Sequence, residues 1–124
     1  MLFITYRKEC DLAQHYHLRG RFWIESPQGT FLGQGRVLLL ERVQELGSIS
    51  AAARSMKMSY RQAWGLISQM NSHSPEPLVL SSTGGQGGGG AQLTHVGKRA
   101  IQLYHEVLID FEAFLSQRAQ TLKL

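Results

Sequence analysis

At 124 residues, with 43% hydrophobic and 18% charged side chains, the chain has the size and balance of one ordinary globular domain rather than a disordered segment. Its formal net charge of +4 points mildly toward a polyanionic partner. A single cysteine, Cys10, excludes an intramolecular disulfide framework and suits a reducing compartment.

In chain order, residues 1–20 have mixed polarity and no period, and are expected to form an irregular arm. Met1 to Ile4 is too short for the apolar core of a secretory signal, and no apolar run approaches the ~18 residues that span a bilayer. The expectation is a cytoplasmic protein with no membrane partner. Arg21-Phe-Trp-Ile-Glu-Ser26 is rich in β-formers, and Pro27-Gln-Gly29 separates it from Thr30-Phe-Leu32. That pattern predicts a hairpin over 21–32. From Gly35 the period changes to that of a helix, with Val37, Leu40, Val43 and Leu46 on one stripe and Leu39 beside them. Gly47 stands where a helix end wants a left-handed backbone, so the first helix is expected over about 35–46.

Ser48 and Ser50 offer N-cap hydroxyls to a short helix of small residues over 50–56. Lys57-Met58 then makes a turn, Ser59 supplies the next cap, and residues 60–71 form a third helix. Its apolar set is Ala63, Trp64, Ile67 and Met70, with Trp64 expected to pack against the first helix. Arg61, Gln62, Gly65 and Gln69 fall on the opposite face. Two short helices joined by a tight turn, after a first one, is the helix-turn-helix pattern. Residues 78–80 and 91–93 read as strands flanking Ser81 to Gly90, a hairpin over 78–93 with a glycine tip. Thr94 caps a long helix over about 95–120, with Val96, Ala100, Leu103, Val107, Phe111 and Phe114 in a heptad-like stripe and a second face at Ile101, Leu108 and Leu115. The fold class is thus α+β and mostly helical: a winged helix-turn-helix with an N-terminal β-hairpin and a long C-terminal dimerisation helix. Residues 1–20 are an arm and 21–124 the domain.

Charge is distributed unevenly. Between Leu46 and His105 the only acid is Glu76, while Arg54, Lys57, Arg61, Lys98 and Arg99 supply the bases. A surface depleted of acids is what an approach to phosphates requires, although a solvated basic face is the plain alternative. In helix-turn-helix domains the start of the second helix of the motif meets the base edges in the major groove. Here that start is Ser59, Tyr60, Arg61 and Gln62. Arg61 can fork onto guanine O6 and N7, Gln62 can pair with adenine N6 and N7, and Gly65 permits close backbone approach. Ser59 and Tyr60 suit phosphate, as do Arg54 and Lys57, whereas Ser48 and Ser50 suit caps first and phosphate second. Six of the seven residues from Gly84 to Gly90 are glycine, a large entropic cost on ordering that close approach to a sugar-phosphate backbone would justify. Ser81, Ser82, Thr83 and Gln86 are the candidate uncharged donors of that wing; a solvated hairpin is the alternative.

Ser48-Ile-Ser50, Ser59-Tyr-Arg-Gln-Ala-Trp64, Gln69-Met-Asn71, Thr83-Gly-Gly-Gln-Gly-Gly-Gly-Gly-Ala-Gln-Leu-Thr94 and Gly97-Lys-Arg-Ala-Ile-Gln-Leu-Tyr104 together resemble the DNA-binding domain of ModE-type molybdate-dependent transcriptional regulators. The helix-turn-helix of LysR-type regulators is a more distant resemblance. The resemblance implies binding to double-stranded DNA as a homodimer. The last helix carries more apolar surface than one small domain needs, so pairing is expected through it, together with the first helix. Sensing members of that family carry further oxyanion-binding domains of β-rich character. With Leu124 as the last residue, the expectation is a regulator without the molybdate-sensing module.

Other chemistries are weakly supported. A nucleotide cradle needs Lys-Ser or Lys-Thr after its last glycine, and Ala91-Gln92 follows Gly90. Cys10, His15 and His17 lack a fourth ligand at a metal-binding spacing. No Ser, His and Asp arrangement occupies a strand-to-helix turn. No enzyme activity, cofactor or metal is expected. The competing functions are a protein-interaction module and a small-ligand sensor, each on the same winged-helix scaffold.

Overall fold

The computed structural model describes residues 4–6, 16–82 and 89–124, with side chains from Tyr16 onward. It contains β1 (Ile4–Tyr6), β2 (Leu18–Gly20), β3 (Ile24–Ser26), β4 (Gly29–Leu32), α1 (Gln34–Leu46), α2 (Ile49–Ser55), α3 (Tyr60–Ser72), β5 (Val79–Ser81), β6 (Ala91–Leu93) and α4 (His95–Ala119). Each of the three sheets is a two-stranded antiparallel pair, β1 with β2, β3 with β4 and β5 with β6. The chain divides into two compact units, Trp23–Tyr104 and Met1–Phe22 with His105–Leu124. Among the described residues no helix is long and apolar enough to cross a membrane.

The core of the larger unit follows the helical period. α1 buries Val37, Leu39, Leu40 and Val43, α2 buries Ile49, Ala52 and Ala53, and α3 buries Ala63, Ile67 and Met70. Each large aliphatic side chain removed from water in this way contributes about 1.5–3 kcal/mol before entropy is counted. The alanines matter by being small, because they let the three helices approach closely. Leu46, placed on the α1 stripe by its spacing, is exposed instead. It is the last residue of the helix, where the chain turns away at Gly47 with φ 75°.

The hairpin β3–β4 turns at Pro27-Gln28, where the Ser26 hydroxyl accepts from the Gln28 amide at 3.1 Å and Gly29 takes φ 130°. Its first strand begins at Ile24, not Arg21, and a register irregularity lies between Ile24 and Glu25. The second hairpin is the wing. β5 and β6 pair Val79 with Leu93, Leu80 with Gln92 and Ser81 with Ala91, and the Ser82 amide donates to the Gly90 carbonyl at 2.8 Å. Helices α1–α3 followed by this hairpin make the winged helix-turn-helix that the sequence predicts.

In the smaller unit, β1 and β2 pair Ile4 with Gly20 and Tyr6 with Leu18, where residues 1–20 showed no period. The Phe22 and Phe111 rings meet edge-on, with centroids 5.3 Å apart, and Leu115 is buried. α4 buries its expected stripe only in part. Ala100 of that stripe is buried, whereas Leu103 and Phe114 are exposed; Leu115 of the second face is buried, as are Tyr104 and Ala119, which neither face included. The inward arc lies about 100° around the helix from Leu103, one residue further along. Two apolar faces in one sequence left the choice between them open.

Candidate nucleic-acid interface

The turn between α2 and α3 is built by backbone hydrogen bonds. The Met58 amide donates to the Ala53 carbonyl at 3.0 Å and the Lys57 amide to the Arg54 carbonyl at 3.1 Å. This is a Schellman closure, in which the residue past the helix end takes the left-handed conformation. That residue is Lys57, with φ 56°, the one non-glycine with positive φ among the described residues. A side chain there costs of the order of 1 kcal/mol relative to glycine. The backbone alone gives no reason for a lysine.

Both helices of the motif are capped as their hydroxyl residues predict. The Ser48 hydroxyl accepts from the Ala51 amide at 3.0 Å, and the Ser59 hydroxyl accepts from the Gln62 amide at 3.0 Å. Each such cap is worth about 1 kcal/mol. Ser50 is no cap; it lies in the first turn of α2, which begins at Ile49. Arg54, Lys57, Ser59, Tyr60, Arg61 and Gln62 are all exposed, and Gly65 is half-buried. Among the described residues no side-chain hydrogen bond or ion pair ties Arg54, Lys57 or Arg61, so their charged groups face solvent.

A cleft of about 310 Å³ opens between the motif and the wing, lined by Ile49, Ser50, Tyr60, Ser81, Ser82, Gly89 and Gly90. The structure therefore gathers Ser50 and Tyr60 beside the wing's base. Thr83 and Gln86, the other wing candidates, lie outside the described residues, as do Cys10 and His15. Among the described residues no group of three or more His, Cys, Asp or Glu is placed to hold a metal.

Trp64 departs from expectation. It is 50% exposed rather than packed in the core. The buried arc of α3 is Ala63, Ile67 and Met70, a spacing of four and three, and Trp64 lies 100° beyond Ala63 at the edge of that arc. The small Ala63, fully buried, takes the inward place beside it instead.

Asn71 was missed by the sequence reading as a structural element. Its Oδ1 accepts from the Leu78 amide at 2.8 Å and the Val79 amide at 3.2 Å, while its Nδ2 donates to the Val79 carbonyl at 3.2 Å. One side chain near the end of α3 thus fixes the first strand of the wing. Thr94 completes the clamp from the other strand, its hydroxyl donating to the Pro77 carbonyl at 2.7 Å while accepting from the Gly97 amide at 3.0 Å. A Cβ at Gly97 would fall on the Leu78 carbonyl, so a glycine is needed where α4 crosses the wing. The wing is also tied to α1, because the Gly47 carbonyl accepts from the Ala91 amide at 2.9 Å. Only the Asn71 identity hinted at this, since long-range hydrogen bonds leave no period in a sequence.

Comparison with known proteins agrees with this architecture. Residues 36–98 match the family described as bacterial regulatory helix-turn-helix protein, lysR family. The chain is 46% identical over 101 residues to the transcriptional regulator ModE of Yersinia pestis, covering 81% of this chain and 36% of that protein. It is 44% identical over 96 residues to the DNA-binding transcriptional dual regulator ModE of Escherichia coli K12, covering 77% and 35%. To the molybdenum transport protein ModE of Azotobacter vinelandii it is 38% identical over 102 residues, covering 82% and 38%. The chain thus spans little more than a third of the length of these curated relatives. The matched family segment begins in α1, contains α2, the turn and α3, and ends just inside α4 past the wing; this chain belongs to the lysR family of bacterial regulatory helix-turn-helix proteins.

Proposed function

We propose that the chain is a sequence-specific, homodimeric transcriptional regulator that binds double-stranded DNA in the cytoplasm. The observation that carries this reading is the lysine at φ 56° between two exposed arginines, in a stretch from Leu46 to His105 whose one acid is Glu76. A backbone position suited to glycine holds a cation that no described residue pairs with. Contact with phosphate gives that cation a purpose.

In this reading Arg61 and Gln62 enter the major groove and read base edges, Arg61 as a bidentate donor to guanine and Gln62 as a donor and acceptor for adenine. Gly65 allows the helix to seat. Arg54, Lys57, Ser59 and Tyr60 hold the sugar-phosphate backbone, fixing register without reading sequence. Ser48 and Ser50, near the base of the cleft, serve the same backbone, and the wing with Thr83 and Gln86 follows the neighbouring strand. The likeness to two relatives named as transcriptional regulators supports the assignment.

The dimer is proposed to form through α4 and α1. Ile109 and Phe114 are 67% and 55% exposed, and α1 leaves Leu38 and Leu46 at the surface, more apolar area than a solvated helix needs. Two recognition helices would then meet half-sites roughly 34 Å apart on a near-palindrome. Light scattering of wild type and Phe114→Glu tests this part: a dimer that the substitution dissociates is expected, and a monomeric wild type at micromolar concentration contradicts it.

Selection from random duplexes tests the DNA reading. The wild-type chain is expected to enrich one motif, and Arg61→Ala to lose about 1–3 kcal/mol on that motif while relaxing one base position. Equal weakening on all sequences would make Arg61 a phosphate contact. No enriched motif would refute sequence-specific binding.

A further inference from the structure

Gln69 lies two helical turns beyond Gln62 on α3, on nearly the same side, because seven residues at 100° each return to within about 20° of the start. The rise between them is about 10 Å, comparable to the ~12 Å width of a major groove. Gln69 is exposed, but its side chain is not free to turn. Its Oε1 accepts from Arg36 Nη2 at 3.0 Å. The same guanidinium donates through Nη1 to the Thr30 carbonyl at 3.2 Å, so β4 and α1 together hold the arginine in one plane. Arg36 is half-buried.

An untethered glutamine presents either edge of its amide, donor or acceptor, and so matches adenine. A glutamine whose oxygen is taken by an arginine presents its NH2 outward. Among the described residues nothing accepts from that NH2. A second consequence is electrostatic: the Arg36 cation sits behind a face on which α3 carries no acid.

We propose that Gln69, oriented by Arg36, is a further base-reading residue of α3, donating from Nε2 to an acceptor on the floor of the major groove, guanine O6 or N7 or thymine O4. Arg36 is a positioning residue that fixes which edge of the amide the groove meets. The inference rests on the DNA-binding reading above and adds a determinant at the far end of the helix from Arg61.

Selection and affinity measurements on wild type, Gln69→Ala and Arg36→Met decide the matter, with thermal melts run on each. Gln69→Ala is expected to weaken binding to the selected motif by about 5- to 100-fold, with the loss confined to one base-pair position different from the one Arg61→Ala relaxes. Arg36→Met, which frees the amide to turn over, is expected to relax that same position and leave the Arg61 position intact. If Arg36→Met fails to fold, Gln69→Ala at its exposed site carries the decision alone. A Gln69→Ala chain that selects the wild-type motif with wild-type affinity, or that weakens all sequences equally, overturns the inference while leaving the DNA reading standing. A wild-type chain that enriches no motif overturns both.

Discussion

Replacing Asn71 with alanine removes three hydrogen bonds at once, to the Leu78 amide, the Val79 amide and the Val79 carbonyl. Leu78 and Val79 are themselves buried, so the two orphaned amides gain little access to water. At about 0.5–1.5 kcal/mol net per bond the three sum to roughly 2–4 kcal/mol. Urea unfolding at fixed protein concentration is the assay, with an unchanged m-value expected because the same surface is exposed on unfolding. A fall in Tm of about 8–16 °C should accompany it, at roughly 4 °C per kcal/mol for a chain of this size. Asn71→Asp keeps an acceptor for both amides but turns an oxygen toward the Val79 carbonyl, and is expected to cost about half as much. A loss below about 0.5 kcal/mol for Asn71→Ala, the range of ordinary surface substitutions, would refute the clamp.

Lys57→Gly is expected to leave stability unchanged or raise it by up to about 1 kcal/mol, by relieving the left-handed strain, while lowering DNA affinity and the steepness of its salt dependence. Thermal melts and binding titrations on the same preparation check both halves. Gly97→Ala should destabilise by about 1–3 kcal/mol or more, because its Cβ meets backbone that cannot step aside; urea midpoints read this directly. Trp64→Ala should cost less than about 2 kcal/mol, not the ~3–5 kcal/mol of a tryptophan or phenylalanine lost from a core, and a core-like loss would restore Trp64 to the interior.

Much of the fold is legible in the sequence because local signals agree with one another. Val37, Leu40 and Val43 recur at the helical period, Gly47 ends that helix, and Ser48 and Ser59 cap the next two with the hydrogen bonds their side chains permit. Lys57-Met58 was readable as a turn from its place between two helical patterns, though its left-handed backbone was not. What escaped was of two kinds. Adjacent apolar residues at the edge of a buried arc, such as Ala63 with Trp64 or Leu103 with Tyr104, share one pattern, and only packing decides which turns inward. Contacts between distant segments, such as Asn71 to Leu78, Arg36 to Gln69, or β1 to β2, leave no period at all. Arg61 and Gln62 stand where the motif predicted, on the exposed start of α3. That Ser81 and Ser82 of the wing share a cleft with Ser50 and Tyr60 is visible only in the fold.

The central claim is that the α2–α3 motif holds DNA through charge and reads it through α3. A salt titration of binding by fluorescence anisotropy, on the selected duplex and a scrambled one, tests it most directly. For a dimer placing Arg54 and Lys57 of each protomer on phosphates, log K is expected to fall against log salt with a slope of about −3 to −4, at ~0.9 per phosphate neutralised. Lys57→Gly should make that slope shallower by about one per half-site, and the selected duplex should stay tighter than the scrambled one at every salt concentration. Affinity that is indifferent to salt, or equal for the two duplexes, would contradict the account.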